Sequence, residues 1–305
     1  MKHMVTLPQG AVVPALGIGT WHTAETSIPR QRARESAAIR AGISSGMRLI
    51  DTAEMYSDGE SERLVGHAIA GATTPTDNPV IERGTTFPSR SDLFLVSKVY
   101  PWNAGRDHIF ESCAESLARL GTDYLDLYLL HWRGSIPLQE TVDCMEELVS
   151  QGLIRGWGVS NFDTADMEEL WEVPGGDRCQ VDQVLYHVGS RGIEYSLQPW
   201  LTAHGVTTMA YCPLAQGGFL TPTGTPLLRD GTLTEIAHRR RATVAQIMLA
   251  WAIRNGSTIA IPMSSSAQHT RENAKADAVE LAAEDCALID AAFPAPTHKT
   301  DLATQ

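Results

Sequence analysis

The sequence predicts an α/β fold and, within that class, a (β/α)8 barrel. Eight short apolar segments recur along the chain, and segments with helical periodicity or helix-end signals lie between them. The 305 residues allow about 38 residues for each of eight strand-helix units, which is the size of the units in such barrels. The eight predicted strands cover residues 16–21, 47–53, 93–100, 125–132, 155–162, 180–187, 206–214 and 258–263.

An open, doubly wound sheet is the alternative fold. Sheets of that kind that bind dinucleotides carry a G-x-G-x-x-G turn directly after the first strand. The first predicted strand instead contains Gly17-Ile18-Gly19-Thr20-Trp21, which has only the first two glycines of the pattern. The sequence therefore favours the barrel.

Two terminal segments flank the predicted barrel. Residues 1–14 contain a Pro-Gln-Gly turn between two short apolar segments, which predicts a leading hairpin. Residues 294–305 form a short tail. We expect residues 1–305 to form a single domain.

Two connections are longer than a minimal barrel needs. Residues 71–90 lengthen a helix-to-strand connection, which lies on the face away from the usual catalytic rim, so we expect a surface excursion with little bearing on chemistry. Residues 216–231 lengthen a strand-to-helix connection, which lies on the catalytic face.

Composition and charge exclude several classes of partner. The chain has 24 Lys and Arg against 36 Asp and Glu, a net charge of −12, which argues against binding to nucleic acid. It has no apolar run of about 18 residues that would span a membrane, and no N-terminal export signal. Its five cysteines are scattered without a C-x-x-C pair, as in reduced cytosolic proteins. We therefore expect a cytoplasmic protein with a small-molecule partner, as a monomer or weak homo-oligomer.

Four chemically reactive side chains follow consecutive predicted strands. Asp51 lies at the end of the second strand and Tyr56 just after it, and Lys98 and His131 lie at the ends of the third and fourth strands. Each alone has an ordinary structural role, such as a helix cap for Asp51 or core packing for His131. Because the carboxyl ends of barrel strands meet at one rim, their conjunction predicts a shared catalytic site.

The four side chains form a coherent proton-donating set. A free tyrosine has a pKa of about 10 and is a poor acid near neutral pH unless its anion is stabilised. We expect the Lys98 ammonium to lower the pKa of Tyr56, and the Asp51 carboxylate to keep Lys98 charged. His131 can orient a carbonyl oxygen and stabilise the charge that develops there.

The chain resembles the aldo-keto reductase family over about residues 12–293. The strings DTAEMY, VSKV and LLHW carry the resemblance and place Asp51, Tyr56, Lys98 and His131 on the catalytic tetrad of that family. The similarity is greatest to prokaryotic single-chain members, which include methylglyoxal reductase-like enzymes. The resemblance implies reduction of an aldehyde or ketone to an alcohol by hydride transfer from NADPH, with Tyr56 as the general acid.

The resemblance also implies a cofactor site along the strand ends. Ser160, Asn161 and Gln183 match side chains that bind the nicotinamide carboxamide, and Tyr211 matches the ring that stacks on the nicotinamide. Ser160 and Asn161 have an alternative role as the N-cap of the following helix. The complete set of expected cofactor-binding residues is Gly19, Thr20, Trp21, Asp51, Ser160, Asn161, Gln183, Tyr211, Pro213, Leu214, Gln216, Gly217, Ile261, Met263, Ser264, Ser265, His269, Glu272 and Asn273.

The sequence departs from the family pattern at two of these positions. The family usually has Lys and Arg, which hold the 2′-phosphate of NADPH, where this chain has Met263 and His269. We expect NADPH as the cofactor, with NADH as the alternative.

Three tryptophans follow predicted strand ends and indicate an aromatic substrate pocket. Trp21, Trp102 and Trp132 follow the first, third and fourth strands, and with Tyr56 and His131 they form the expected substrate site. The alternative is that these rings only plug the mouth of the barrel.

Two other functions remain open at this point. A lysine at a strand end can form a Schiff base, which would make the protein an aldolase that uses Lys98. The chain can also be a nucleotide-binding regulatory subunit without turnover, although the intact quartet argues against this. No H-x-H or H-E-x-x-H string is present, so no metal site is expected.

Overall fold

A computed structural model of the protein describes residues 1–70, 87–218 and 226–304. Its N-terminal segment is the predicted hairpin, in which β1 (Met4–Thr6) and β2 (Val12–Pro14) pair antiparallel. Val5 and Val13 face each other in this pair and are both buried in the hydrophobic core. The hairpin is therefore packed onto the barrel rather than free of it.

The predicted barrel is confirmed. Eight parallel strands form one sheet, and each strand pairs with the next along the chain. They are buried on both faces, because the inner face fills the barrel and the outer face lies under helices. The strands are β3 (Ile18–Gly19), β4 (Leu49–Asp51), β5 (Phe94–Val99), β6 (Leu127–Leu130), β7 (Trp157–Ser160), β8 (Val181–Leu185), β9 (Thr207–Tyr211) and β10 (Thr258–Ala260).

The barrel closes through a seam between its first and last strands. Isolated parallel bridges join Leu16 to Ala260 and Gly19 to Met263. The backbones approach so closely that a Cβ on Gly19 would lie 2.6 Å from the carbonyl oxygen of Ile261. Glycine is therefore required at this point of the seam.

Helices surround the sheet, as the alternation of patterns predicts. One of them, Leu138–Ser150, has the bounds that the sequence predicts. The helical elements of the described chain are α1 (Pro29–Ser44), α2 (Glu60–Ile69), α3 (Ile109–Leu120), α4 (Leu138–Ser150), α5 (Thr164–Glu172), α6 (Leu197–His204), α7 (Ala215–Gly218), α8 (Gly231–Arg240), α9 (Val244–Ala252), α10 (Ala267–Ala274) and α11 (Ala283–Ala292). Of these, α7 is a single turn whose four residues all have positive φ, so it is not a regular right-handed helix.

The strands are shorter than the apolar pattern predicts. The second predicted strand covered residues 47–53, whereas β4 covers only three residues, because the flanking Met47 and Ala53 are buried without joining the ladder. Most of the predicted excursion at 71–90 and part of the connection at 216–231 lie outside the described residues.

The described part of the chain contains no helix long and apolar enough to cross a membrane. Within the same residues, no group of three or more His, Cys, Asp or Glu side chains is arranged to hold a metal ion.

Candidate active site

The predicted quartet comes together at the carboxyl ends of β4, β5 and β6. The Lys98 ammonium donates hydrogen bonds to Asp51 Oδ2 at 2.8 Å, to the Thr52 carbonyl at 2.8 Å and to the Tyr56 hydroxyl at 3.0 Å. These three bonds use all three ammonium protons. The lysine is therefore held in one position, with its charge against the phenol.

Lys98 and Asp51 form a buried ion pair, with 0% and 2% of their surfaces exposed. Burial lowers the pKa of Lys98, and the Asp51 charge opposes this change. Burial likewise raises the pKa of Asp51, and the Lys98 charge opposes it. Each group therefore compensates the desolvation of the other, and removing one would leave a buried charge alone.

Burial determines the protonation state of Tyr56. It raises the pKa of the phenol well above its ordinary value, and the Asp51 carboxylate raises it further. We expected the Lys98 ammonium to lower this pKa, but the net shift is upward, because burial of the phenol is its largest cause. The phenol stays protonated, so its proton is present for donation.

His131 lies beside Tyr56, with the two ring centroids 5.7 Å apart and the ring planes at 73°. Burial, and secondarily the charge of Lys98, holds the pKa of His131 well below 6.5. The imidazole is therefore neutral at physiological pH and has one N–H to donate. A neutral donor next to the phenol is suited to orienting a carbonyl oxygen.

The polar residues at the end of β7 connect the quartet to the rest of the rim. Asn161 Nδ2 donates to the His131 carbonyl and to Ser160 Oγ, both at 3.1 Å, and Asn161 Oδ1 accepts from the Tyr211 hydroxyl at 2.9 Å. Asn161 adopts φ 57°, which is uncommon for a non-glycine residue. Such backbone strain is often found at functional sites.

The alternative role of Ser160 and Asn161 as a helix cap is wrong. The N-cap of α5 is Asp163, whose carboxylate accepts from the backbone N–H groups of Ala165 and Asp166. Ser160 and Asn161 lie before the cap, so their side chains face the rim.

Gln183 on β8 also reaches the quartet. Its Nε2 donates to Asp51 Oδ1 at 2.7 Å, on the side of the carboxylate opposite Lys98. Thr20 supports the same residue from below, since its hydroxyl donates to the Asp51 carbonyl at 2.9 Å. Asp51 is thus held by three neighbours.

A cavity of about 730 Å³ lies at the rim above these residues. Of the expected cofactor-binding residues, it leaves out Thr20 and Ser265 and is lined by the others, which are Gly19, Trp21, Asp51, Ser160, Asn161, Gln183, Tyr211, Pro213, Leu214, Gln216, Gly217, Ile261, Met263, Ser264, His269, Glu272 and Asn273.

Sequence reasoning missed part of the cavity wall. Residues 243–245 at the start of α9 line the cavity. The available signal was the capping box formed by Thr243 and Gln246, which places a helix N-terminus there. His22, Met55, Cys212, Leu228 and Pro262 also contribute to the lining.

The expected substrate residues fall into two groups. Trp21, Tyr56 and His131 line the cavity. Trp102 and Trp132 lie outside the lining and pack against each other, with ring centroids 5.7 Å apart. The structure therefore separates an inner reactive end from an outer pair of tryptophans.

A closed eight-stranded barrel with an acid–amine pair against a tyrosine at its rim defines a class of barrel oxidoreductase. The model of the aldo/keto reductase family matches residues 15–293. The chain belongs to the aldo/keto reductase family, which confirms the resemblance in its sequence.

Several relatives match along nearly their whole length. The chain is 48% identical over 301 residues to methylglyoxal reductase YeaE of Escherichia coli K12, covering 99% of this chain and 98% of that protein. It is 33% identical over 291 residues to glyoxal reductase of Bacillus subtilis, covering 95% and 93%. A crystal structure of an aldo-keto reductase from Klebsiella pneumoniae in complex with NADPH has a TM-score of 0.89 and 48% identity, with 100% of both chains covered. A second structure from the same organism, in complex with NADP and acetate, has a TM-score of 0.90 and 47% identity, again with 100% of both chains covered.

Proposed function

We propose that this protein reduces an aldehyde or ketone to an alcohol with NADPH, and that Tyr56 donates the proton. The observation that carries the proposal is the Lys98 ammonium held between Asp51 Oδ2 at 2.8 Å and the Tyr56 hydroxyl at 3.0 Å, at the rim of a cavity. Because the relatives include reductases of glyoxal and methylglyoxal, we propose small aldehydes, 2-oxoaldehydes among them, as the substrate class.

The cavity fits a nicotinamide dinucleotide in size and in chemistry. Its volume of about 730 Å³ is typical of a cofactor site. Ser160, Asn161 and Gln183 provide hydroxyl and amide groups at the floor for a carboxamide, next to the Tyr211 ring. Among the described residues no Lys or Arg lines the cavity, so phosphate groups would be held by backbone amides and hydroxyls such as Ser264.

This lining bears on the choice between the two nicotinamide cofactors. Met263 and His269, which stand where the family usually has Lys and Arg, both line the cavity, and Glu272 lies one helical turn beyond His269. The neighbouring Arg271 points along its own helix, toward the Ala267 carbonyl at 3.4 Å. NADPH remains the proposed cofactor because the Klebsiella relatives bind it, and NADH remains the alternative.

In the proposed mechanism, the bound cofactor supplies a hydride to the carbonyl carbon. Tyr56 holds its proton at the hydroxyl, and burial keeps it there until the carbonyl oxygen gains charge. When the proton leaves, the Lys98 ammonium at 3.0 Å stabilises the phenolate. Asp51 keeps the ammonium in place, and the neutral His131 orients the carbonyl oxygen.

The geometry disfavours the aldolase alternative. A Schiff base requires a neutral amine that is free to attack a carbonyl. All three protons of Lys98 are engaged by Asp51, Thr52 and Tyr56, and the side chain is fully buried. Borohydride trapping with a carbonyl substrate is the direct check, and a trapped adduct on Lys98 would favour the aldolase.

The remaining proposals concern the state of the protein. We propose a single domain over residues 1–305, present as a monomer or weak homo-oligomer in the cytoplasm. All five cysteines are free thiols, which is consistent with a reducing compartment.

The test of the proposed function is Tyr56→Phe. We expect the kcat for methylglyoxal reduction to fall at least about 100-fold, which is the usual contribution of a positioned general acid. The Kd of NADPH, measured by quenching of tryptophan fluorescence, should change less than about threefold, because the rest of the cavity is intact. Tyr195→Phe is the matched control, since Tyr195 is an exposed tyrosine outside the site.

Two results would contradict the proposal. Near-wild-type reduction by Tyr56→Phe would show that Tyr56 is not the proton donor. Tight NADPH binding by the wild-type protein without turnover of any reactive aldehyde would instead indicate the regulatory subunit.

A further inference from the structure

An aromatic cluster lies beside the inner site and is built from Tyr100, Trp102 and Trp132. Tyr100 and Trp102 stack with ring centroids 4.4 Å apart and planes at 19°, and Trp132 meets Trp102 edge-on at 5.7 Å. Trp132 is also 5.0 Å from the His131 ring. Trp102 is 58% exposed, so the cluster offers an apolar ring face to solvent next to the reactive end.

A buried carboxylate underlies this cluster. Glu54 is 9% exposed, and its Oε1 accepts from the Tyr100 backbone N–H at 2.7 Å and from Asn103 Nδ2 at 3.2 Å. These two donors flank Trp102 in the chain. Glu54 therefore holds both ends of the short segment that carries the exposed ring.

The same residue belongs to the turn that carries the proton donor. The Tyr56 N–H donates to the Ala53 carbonyl at 3.1 Å, which closes a tight turn around Glu54. The contacts thus form a continuous ring of interacting residues. It runs from Tyr56 to His131, through the aromatic cluster to Tyr100, and back through Glu54.

We propose that Glu54 is a positioning residue for substrate specificity. Its carboxylate fixes the aromatic cluster relative to the Tyr56 hydroxyl, and so aligns aldehydes that carry an aryl or other flat apolar group. The inference rests on the proposed reductase function and extends it to a substrate class, since the cluster accepts a flat group by ring contact while the carbonyl lies at Tyr56 and His131.

This arrangement predicts a difference between two substrates that share the reacting group. Methylglyoxal and phenylglyoxal are both 2-oxoaldehydes, but only the second carries a ring that can lie on the cluster. Loosening the cluster should raise the KM for phenylglyoxal, because ring contacts contribute to binding, and leave methylglyoxal nearly unaffected. A purely structural role of Glu54 would instead lower turnover of both substrates alike.

The experiment compares Glu54→Ala, Glu54→Gln and Asn103→Ala. For Glu54→Ala we expect kcat/KM to fall about tenfold with phenylglyoxal and less than about threefold with methylglyoxal, with the NADPH Kd unchanged. Glu54→Gln keeps an oxygen that accepts both hydrogen bonds, so it should restore most of the phenylglyoxal activity. Asn103→Ala removes one of the two donors and should give an intermediate loss.

Glu140→Ala is the matched control for these variants. The Glu140 carboxylate accepts from the Arg106 backbone N–H at 2.9 Å, just beyond the same segment, and is not a hydrogen-bond partner of Tyr100 or Asn103 as Glu54 is. Glu140→Ala should leave the ratio of kcat/KM for phenylglyoxal to kcat/KM for methylglyoxal unchanged.

The possible failures are distinguishable. If the wild-type protein reduces neither substrate with NADPH or NADH, the proposed function itself is wrong. The positioning role is overturned if Glu54→Ala and Asn103→Ala lower kcat/KM for both substrates by the same factor. It is also overturned if Glu54→Gln loses as much phenylglyoxal activity as Glu54→Ala. In both cases the proposed reductase function is unaffected.

Discussion

Asp51 and Asp182 are two buried aspartates on different strands of the barrel, and their surroundings are opposite. Asp51, at the end of β4, has the Lys98 ammonium on one oxygen and the Gln183 amide on the other. Asp182, on β8, is completely buried, and neither oxygen has a hydrogen-bond partner of normal geometry among the described residues. Burial raises the pKa of both carboxyl groups, but only Asp51 has a positive charge opposing the rise.

The difference shows how the same residue type serves two purposes at equal burial. At Asp51 the Lys98 charge opposes the effect of burial on the pKa, so the desolvation of this carboxyl group is compensated within the catalytic arrangement. Burial raises the pKa of Asp182 well above 3.8, and only the Phe162 backbone amide opposes this change. Burial therefore favours the protonated form of Asp182, and no positive charge opposes that effect.

The largest expected effect comes from removing Lys98, the charged partner of Asp51. Lys98→Met leaves Asp51 buried without its counter-charge, which should lower the free energy of unfolding by about 3–5 kcal/mol. Methylglyoxal reduction should fall at least about 100-fold, because the phenolate of Tyr56 loses its stabilising ammonium. Urea unfolding and steady-state kinetics measure the two effects.

The double variant Asp51→Asn with Lys98→Met is the control. It removes both charges and should recover most of the lost stability while remaining inactive. A single Lys98→Met variant as stable as wild type would show that the pair does not compensate buried charge.

A smaller effect on the free energy of unfolding, of opposite sign, is expected from replacing Asp182, which has no charged partner. Asp182→Asn removes a carboxyl group whose burial favours the protonated form, so it should raise the free energy of unfolding by about 1–3 kcal/mol at pH 8. The gain should shrink at pH 5. Because the folded pKa of Asp182 lies above its unfolded value, its stabilising contribution is complete below about pH 4 and is lost as the pH rises toward the folded pKa.

Urea unfolding at pH 5 and pH 8 checks this prediction, with the exposed Asp177→Asn on the preceding segment as the control. Equal effects of Asp182→Asn at both pH values, or a loss of stability at pH 8, would mean that Asp182 is charged and partnered in the folded protein.

The smallest expected effect is the pH dependence of kcat, which reports on Tyr56 and His131. Burial raises the pKa of Tyr56 and lowers that of His131 well below 6.5, so neither group changes protonation near neutrality. We expect the kcat for methylglyoxal to vary less than about twofold between pH 6 and 8. A limb with an apparent pKa near 6.5 would show instead that His131 titrates in the reactive complex.

The sequence was sufficient for the fold and for the quartet. Helix α4 was predicted with its observed bounds, because its helical periodicity ends at a glycine, Gly152. Asp51, Lys98 and His131 were placed in one site because the carboxyl ends of consecutive parallel strands share a rim. Both inferences depend on local patterns and on barrel topology alone.

Other properties depend on contacts that no local pattern contains. The direction of the Tyr56 pKa follows from desolvation, which only the packed structure determines. Gln183 and Asp182 are adjacent on β8 and point to opposite faces, but the strand is buried on both sides, so the sequence could not say which faced Asp51. Glu54 was likewise overlooked, since its two donors come from a later part of the chain.

The seam of the barrel has a consequence for how the protein opens. Gly19 and Met263 pair across this seam, and both line the cavity. A bound dinucleotide would contact both sides of this seam at once and hold the first and last strands together. Binding would then stabilise the closed seam, so occupancy should protect the backbone amides at the seam from hydrogen exchange.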